Sequence, residues 1–496
     1  MSILCLLSVR GLSQDISFSR FDKEDNRDVN FEIIGKFNDN ILVYKNIYWR
    51  HKISIFDKNM QTVESVKLDF MPEKTFNVDF VTYPGFFYMI YQYQKRNILH
   101  CMAVKMDASG KKLSEPVEID TTQIPILTDN KIYSTISSED KSRILVFKVQ
   151  QRNEKCNIAS LLLDSQLNVI RRSRHLMEFD DRREGFSEFS LTNDGDFIFT
   201  LTKKNSSGES SNVLQLAYQS PASDSLKFYP LYLGKKYIDE VKMKVDNLNK
   251  NVVLNAFYYS RSRGSVEGLY TAIWDKQYHT ERATTFTVFD DEFRSEANSE
   301  GLARFAFDNF FIHEIFVKKD GGLLVTAEDF SSQTRGSNNP WNRWDYLNTS
   351  PFSNNSYYYY SPYYGYYRPL NSFSNTQSVR YYYDNIIVIS IDKEGHAEWN
   401  KVIHKSQFDD DDDNFLSYST MNGGGKLHFL FNADSHYQIV SDQTLSPTGD
   451  IQRNATLKSL EKGYRFMPKL SKQVGSRELI IPCVYREYVC FARVQL

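Results

Sequence analysis

Acidic residues form the clusters in this sequence with the clearest chemical potential. The longest run is five consecutive aspartates, Asp409, Asp410, Asp411, Asp412 and Asp413. Because Ca²⁺ prefers oxygen ligands, such a run could hold that ion. Its spacing matches no EF-hand or RTX repeat, however, and charge runs usually lie in solvent. We therefore expect no cofactor, with Ca²⁺ as the alternative.

A second cluster is aromatic and fills residues 331–380, where Asn and Ser separate the rings. The rings concerned are Trp341, Trp344, Tyr346, Tyr357, Tyr358, Tyr359, Tyr360, Tyr363, Tyr364, Tyr366 and Tyr367. Tyr, Ser, Gly and Asn are typical of binding loops, because rigid rings combine there with adaptable hydrogen bonding. The segment is therefore predicted to be a binding loop, and the alternative is a low-complexity loop without a specific ligand.

Recognised catalytic motifs are absent from the sequence, which has no GxSxG, HExxH, Walker or dinucleotide-binding signature. The nine histidines show no metal-ligand spacing, and we expect His428 to be a hydrogen-bonded core residue. The five cysteines include no CxxC pair, which argues against a zinc site. Cys483 and Cys490 flank a predicted two-residue turn at Arg486–Glu487. They would face each other as a disulfide or as two buried thiols.

A pattern that returns eight times supplies a scaffold for these side chains. Each copy has an alternating strand, a turn at Gly, Asn or Asp, and a more continuous apolar strand, which is the signature of a β-hairpin. The paired segments are 31–34 with 41–44, 76–81 with 86–91, 132–136 with 143–149, 186–191 with 197–201, 241–245 with 252–258, 312–317 with 323–327, 416–420 with 427–431, and 466–470 with 479–484.

A second hairpin follows most copies, so that each unit has four antiparallel strands. Aspartates close an apolar strand of these second hairpins at Asp57, Asp107, Asp164, Asp275 and Asp392. A lone four-stranded sheet cannot bury both faces, whereas a radial arrangement covers each sheet with the next. We predict an all-β fold, a β-propeller of about eight blades, with seven as the alternative. The last unit lacks an outer strand, and we expect segment 16–21 to supply it and close the ring.

The topology predicts where the two clusters lie. In an up-and-down blade, the connection between the second and third strands shares one end with the connection to the next blade. The aromatic insert interrupts the sixth copy at the first kind of connection. The acidic clusters at 180–181, 290–292 and 409–413 occupy the second kind. Both are therefore expected on one rim, which is the predicted binding surface.

Composition excludes several classes of protein. The chain has 60 basic and 62 acidic residues, so no basic excess indicates a nucleic-acid binder. It has no run of about 18 apolar residues, and we predict no membrane-spanning helix. The apolar start ending near Gln14 predicts a signal peptide over 1–14, and the alternative is a buried strand. Residues 15–496 are then a single propeller domain.

The four-strand unit resembles the β-propeller superfamily over residues 16–496. The strand-turn phrase Ile386–Gly395, followed by Glu398–Trp399, resembles exported propellers of Bacteroidota bacteria, as does the cleavage end at Gln14. Some proteins of that group associate with the outer membrane or with the type IX secretion and gliding machinery. The resemblance implies a periplasmic, outer-membrane-associated or secreted protein.

These features together predict a non-enzymatic binding scaffold in the bacterial cell envelope. Its partner is expected to be a protein, such as a subunit of an outer-membrane or secretion complex, held by the rim that carries the aromatic insert. Two alternatives stay open. One is a glycan-binding propeller, since Tyr and Trp rings stack on sugar faces. The other is a propeller hydrolase with paired carboxylates in the channel.

Overall fold

The computed structural model describes residues 15–21, 29–124, 132–180, 182–204, 210–298, 302–334, 379–410, 413–434, 436–459 and 461–496. Almost all regular elements in these ranges are β-strands. The first nine are β1 (Asp15–Phe18), β2 (Val29–Phe37), β3 (Asn40–Ile47), β4 (Arg50–Phe56), β5 (Thr62–Lys67), β6 (Thr75–Tyr83), β7 (Phe86–Lys95), β8 (Ile98–Asp107) and β9 (Val117–Gln123).

Twelve more strands precede a short helix, α1 (Asp291–Ala297). They are β10 (Tyr133–Ser137), β11 (Arg143–Arg152), β12 (Lys155–Asp164), β13 (Val169–Glu178), β14 (Glu184–Leu191), β15 (Phe197–Lys204), β16 (Ser211–Gln219), β17 (Lys227–Leu231), β18 (Tyr237–Asp246), β19 (Asn251–Tyr259), β20 (Gly268–Asp275) and β21 (Thr280–Val288).

The strands after the helix complete the fold, with 3-10 turns at Ala303–Phe305 and Pro468–Leu470. They are β22 (Phe310–Val317), β23 (Leu323–Thr334), β24 (Val379–Ile391), β25 (Ala397–Ile403), β26 (Gln407–Asp410), β27 (Tyr418–Gly423), β28 (Lys426–Asn432), β29 (Ile439–Leu445), β30 (Ile451–Arg453), β31 (Leu457–Lys458), β32 (Tyr464–Phe466), β33 (Lys472–Gly475), β34 (Glu478–Tyr485) and β35 (Tyr488–Gln495).

Successive strands pair in antiparallel fashion, giving a propeller-like all-β fold. We number the four-strand groups in chain order. Sheet 1 is β2–β5, sheet 2 is β6–β9, sheet 3 is β10–β13, sheet 4 is β14–β17, sheet 5 is β18–β21, sheet 6 is β22–β26, sheet 7 is β27–β31, and sheet 8 is β32–β35 with β1. Sheets 4 and 5 are joined through β16 and β18, which meet at Ser211 and Ile238. Seven of the eight predicted hairpins are present, each within one sheet, and the eighth is interrupted in its first strand.

The aspartates that close apolar strands act as the sequence predicts. At Asp57, Asp107, Asp164, Asp275 and Asp392, the carboxylate accepts a hydrogen bond from the backbone N–H two residues on, at 2.8–3.0 Å. This side-chain turn satisfies N–H groups that the hairpin leaves unpaired. Turn chemistry therefore sets the hairpin positions that the sequence indicates.

The chain divides into two compact units, and the second contains sheets 2–6. In it, the first strands of successive sheets are neighbours: β10 contacts β14, β14 contacts β18, and β18 contacts β22. Apolar clusters unite residues of successive sheets, such as Val146 with Ile90, and Val253 with Ile389. Each sheet thus buries its faces against the next, as a radial arrangement requires.

The first unit contains sheets 1, 7 and 8. Strand β1 pairs with β35 along Asp15–Phe18, so the expected outer strand of the last sheet is present. Sheet 8 is linked to sheet 1 by Lys36, whose Nζ lies 2.8 Å from Glu478 Oε2. Lys472 Nζ adds a hydrogen bond of 2.9 Å to the carbonyl of Ile33.

Two local predictions are wrong. The first strand of sheet 8 is not continuous over 466–470, because Pro468 starts a 3-10 turn that separates β32 from β33. Proline has no N–H for a sheet and fixes φ. The acidic cluster at 290–292 lies in the predicted connection, between β21 and β22, but it is not an irregular loop. Asp290 instead caps α1, accepting from Phe293 N at 2.8 Å, and the next two residues form the first helical turn.

The acidic segment before sheet 7 also differs from its prediction. Asp409 and Asp410 do not lie in a loop but belong to β26, which pairs with β24. In the described part of the chain, no helix is long and apolar enough to cross a membrane.

Candidate functional site

Bulges in the first strands bring charged side chains together in the second unit. The register of β14 shifts between Ser187 and Ser190, that of β18 between Ile238 and Val241, and that of β22 between Ile312 and Glu314. A bulge leaves residues unpaired and re-aims their side chains, and bulges are frequent beside active sites. The residues re-aimed are Glu188, Asp239, Glu240 and His313, with Phe189.

Lys242 on β18 lies between two of these carboxylates. Its Nζ is 3.3 Å from Glu240 Oε1 and 3.7 Å from Glu188 Oε1. Glu188 also accepts a hydrogen bond of 2.9 Å from the backbone N–H of Met243. Lys242 therefore links β18 to the neighbouring first strand β14 through an ion pair with Glu188.

Sheet 6 contributes a second charged group, centred on a buried ion pair. Lys405 Nζ lies 2.7 Å from Glu328 Oε1, and the two side chains are only 1% and 6% exposed. Lys405 also donates to the carbonyl of Tyr383 at 2.7 Å and to Gln407 at 3.0 Å. A buried charge needs such a full set of partners, because its desolvation costs several kcal/mol, about the size of a domain's net stability.

Two aspartates flank this pair, Asp329 on β23 and Asp384 on β24. The register between these strands is irregular here, since Glu328 pairs with Ile386 whereas Phe330 pairs with Tyr383. Burial raises the pKa of Asp329 to about 7, and the neighbouring Asp384 carboxylate raises it further against the lowering by Lys405. Two close carboxyls cannot easily both ionise. Asp329 is therefore partly protonated near neutral pH.

His313 lies in the same region. Its side chain is accessible to solvent, yet the surrounding protein desolvates the ring and lowers its pKa to about 4. Glu314 opposes this shift, while Lys242 and Lys405 add to it. The histidine thus connects the charges of the first strands with those of sheet 6, and it is neutral near pH 7.

Part of the predicted aspartate run contacts the edge of this group. Asp410 forms a bidentate pair with Arg380, at 2.8 and 3.0 Å. Asp413 accepts a hydrogen bond of 2.8 Å from Tyr383 OH. Burial, followed by the Asp413 charge, raises the pKa of Tyr383 well above its usual value. Asp411 and Asp412 lie outside the described residues, as do all the predicted aromatic residues from Trp341 to Tyr367.

The aromatic insert nevertheless has a defined origin. It leaves sheet 6 after β23, which ends at Thr334, and returns at Val379, where β24 begins. Residues 335–378 therefore stand between the second and third strands of sheet 6 in the sequence. Its two ends lie on the strands that carry Asp329 and Asp384.

Other predicted residues lie elsewhere. Cys483 and Cys490 face each other across β34 and β35, with their buried thiols 2.8 Å apart. His428 bonds Asp442 at 2.9 Å between Nδ1 and Oδ1, as expected of a hydrogen-bonded core residue. No group of three or more His, Cys, Asp or Glu suited to a metal occurs within the described ranges.

Sequence reasoning missed Asp329, Asp384 and His313. They belong to three different strands, and only the bulges and the cross-strand register unite them. The available signal was the pair Glu328–Asp329, two acids that directly follow the mostly apolar start Leu-Leu-Val-Thr-Ala of β23. Charged residues are seldom buried unless they are paired.

Comparisons with known proteins give distant likenesses alone. No family model matches the sequence, and no curated protein matches it. A solved prolyl endopeptidase is 10% identical, with a TM-score of 0.40, over 93% of this chain and 55% of its own. Prolyl oligopeptidase B from Galerina marginata is 8% identical, with a TM-score of 0.40, over 93% and 56%. A puromycin hydrolase is 9% identical, with a TM-score of 0.36, over 87% and 52%.

The chain spans about half the length of these peptidases and hydrolases. The expectation of a non-enzymatic envelope scaffold is corrected by this finding, because these similar structures belong to enzymes and none to a scaffold. At such identities and TM-scores, the likeness does not indicate which reaction this chain would carry out. The kind of reaction is inferred from the charged residues around the Lys405–Glu328 ion pair.

Proposed function

We propose that the chain is a hydrolase of acid–base type, with Asp329 and Asp384 as its reacting carboxyls. The observation that carries this proposal is their position on neighbouring strands, beside the buried Lys405–Glu328 pair. Two neighbouring carboxyls, one of which has a raised pKa, are the equipment of glycoside hydrolysis, in which one acts as acid and the other as base or nucleophile. A glycoside is therefore the proposed substrate class.

Each of the two aspartates has one role in the proposed reaction. Asp329, which is partly protonated near neutral pH, gives its proton to the leaving-group oxygen as the glycosidic C–O bond breaks. Asp384 takes a proton from a water molecule, whose oxygen forms the new bond to carbon. Lys405 is a positioning residue, since it holds Glu328 and the Tyr383 carbonyl.

The aromatic insert supplies the substrate-holding surface in this proposal. Both of its ends continue from the strands that carry the two aspartates. Tyr and Trp rings stack on the apolar faces of sugars, and their amphipathic character suits such a site. The insert and the carboxyls then belong to one function.

Hydrolysis of fluorogenic glycosides tests the proposal. We expect the wild-type chain to cleave at least one member of a panel, and Asp329→Asn and Asp384→Asn each to lower kcat at least about 100-fold, the usual scale of general acid–base catalysis. Asp69→Asn is the matched control, because Asp69 is an exposed aspartate of the same unit. It should leave the rate unchanged.

Two outcomes would overturn the assignment. One is cleavage that survives in the folded Asp329→Asn variant. The other is failure of the folded wild-type chain to cleave any glycoside in the panel. Circular dichroism of each variant establishes that it is folded.

We infer that the eight sheets form about eight blades of one propeller, with β1 closing the ring on β35. The antiparallel pairing of β1 with β35 supports this inference.

We also infer that the protein is exported, by the apolar segment before Gln14 and by the resemblance to exported propellers of Bacteroidota. Residues 1–14 lie outside the described ranges. Mass spectrometry of protein from the periplasm or medium should find a mature N-terminus near Asp15. An uncleaved chain confined to the cytoplasm would refute export.

A further inference from the structure

A cleft of about 530 Å³ lies between sheets 2 and 3. Neither Asp329 nor Asp384 of sheet 6 lines it. One wall is the outer strand β9, from Asp120 to Gln123, and the floor and opposite wall come from β11, β12 and β13. Ala159, which pairs with Arg174, lines it with a small side chain. Its volume is in the usual range for small-ligand sites, about 300–1,000 Å³.

The cleft carries more positive than negative charge. Lys148, Arg172 and Arg174 line it, with Asp120 as the one lining carboxylate. Asp120 is already engaged, since it lies 2.8 Å from Lys148 Nζ and accepts a hydrogen bond of 2.9 Å from Tyr133 OH. Arg172 is farther from it, at 3.6 Å. Arg172 Nη2 also donates a hydrogen bond of 3.2 Å to the carbonyl of Ile119. Three cations and one carboxylate thus leave the lining with a net positive charge.

The arginines are set to share one ligand. They stand two residues apart on β13 and so face the same side of the strand. Arg174 donates through Nε to Asn157 at 2.9 Å, and among the described residues its two terminal nitrogens have no partner. A planar guanidinium held in this way binds carboxylate or phosphate with two parallel hydrogen bonds.

The rest of the lining is neutral and polar. It includes the hydroxyl and amide side chains of Thr122, Gln150 and Asn157, beside the aromatic ring of Tyr133. Hydroxyl and amide groups suit a ligand with many hydroxyls, and a ring suits its apolar face. We propose that this cleft binds an acidic sugar, whose carboxylate or phosphate group is held by Arg172 and Arg174.

Calorimetric titration of the full chain with glucuronate and with glucose 6-phosphate tests the proposal. We expect at least one of them to bind, and Arg172→Gln with Arg174→Gln to weaken that binding about tenfold or more, as expected for the loss of charge-assisted hydrogen bonds. Neutral glucose should bind at least about tenfold more weakly than its acidic relative. Arg261→Gln, which removes an exposed arginine outside the cleft, should leave the affinity unchanged.

The two acidic sugars distinguish a carboxylate ligand from a phosphate ligand. Binding of glucuronate alone assigns a uronic acid, and binding of glucose 6-phosphate alone assigns a sugar phosphate. Either result supports the site if the double variant loses it. Binding that persists in the folded double variant, or no binding of either compound to the wild-type chain, overturns the proposal. The carboxyl variants of sheet 6 should not affect this binding, so the two sites can fail separately.

Discussion

At the residue scale, the charged group of sheet 6 depends on a balance between buried partners. Lys405 is a cation among Glu328, Asp329 and Asp384, and burial lowers its pKa while these carboxylates oppose the shift. The lysine therefore helps its ion-pair partner Glu328 to remain ionised in a desolvated place. The pKa of Asp329 is raised to about 7 instead.

Removing the lysine should expose this dependence. We expect Lys405→Met to lower the free energy of unfolding by about 3 kcal/mol, because it leaves a buried carboxylate unpaired. In Lys405→Met with Glu328→Gln, much of that loss should return, as no charge is then left alone. Urea denaturation of the four members of this double-mutant cycle measures the coupling. Strictly additive effects would contradict the buried pair.

The pH dependence of stability has opposite signs at two residues. The raised pKa of Asp329, about 7 against 3.8, gives stability that is present below pH 3.8 and lost as pH rises through 7. The lowered pKa of His313, about 4 against 6.5, gives stability that is present above pH 6.5 and lost as pH falls through 4. The two contributions oppose each other between these limits.

Replacing either residue should therefore leave the pH dependence of the other one visible in the unfolding free energy. Relative to the wild-type chain, Asp329→Asn should gain stability as pH rises from 4 to 6.5, whereas His313→Gln should lose stability over the same interval. Urea denaturation at a series of pH values measures both slopes. Parallel curves for all three proteins would show that neither residue has a shifted pKa.

At the element scale, turn chemistry and helix capping explain local boundaries. Alternation and turn residues were sufficient to predict the hairpins and the closing aspartates, because both signals are local. The bulges that unite Glu240 and His313 could not be predicted in this way. A bulge depends on the register with the partner strand, which a single sequence does not display.

Helix α1 offers a test of a local boundary that the sequence concealed. Asp290→Ala should lower the free energy of unfolding by about 1 kcal/mol, because it removes the side chain that accepts from Phe293 N. Glu292→Gln keeps the cap and should cost only a few tenths of that amount. Chemical denaturation measures both. Equal effects would mean that the acidic cluster acts by charge alone.

At the scale of the whole molecule, the repeated hairpin made the fold predictable from the sequence, whereas the candidate site could not be predicted. Eight similar hairpins indicate stacked sheets, whatever the partners of each strand. The candidate site, by contrast, takes a few residues each from β18, β22, β23 and β24. In the sequence, the aromatic insert separates β23 from β24. The runs that stood out, at 290–292 and 409–413, largely cap a helix and extend a sheet edge.

The pairing of β1 with β35 predicts how the N-terminal segment supports the first unit. Ser19 N donates to the carbonyl of Phe491 at 2.8 Å, and Phe491 N donates to Ser19 Oγ at 3.0 Å. Deleting residues 1–21 should therefore speed hydrogen exchange along β35, whereas deleting 1–14 alone should not. Unchanged exchange in the longer deletion would show that β1 does not stabilise sheet 8.

The central claim is that Asp329 and Asp384 are a carboxyl pair that retains a proton at neutral pH. Carbon-13 NMR of aspartate carboxyls measures this directly when the full chain is titrated. We expect one aspartate resonance to titrate at about 7 and to vanish in Asp329→Asn. If every aspartate in the wild-type chain titrates near its ordinary value of about 4, the carboxyl pair and the hydrolase built on it are wrong.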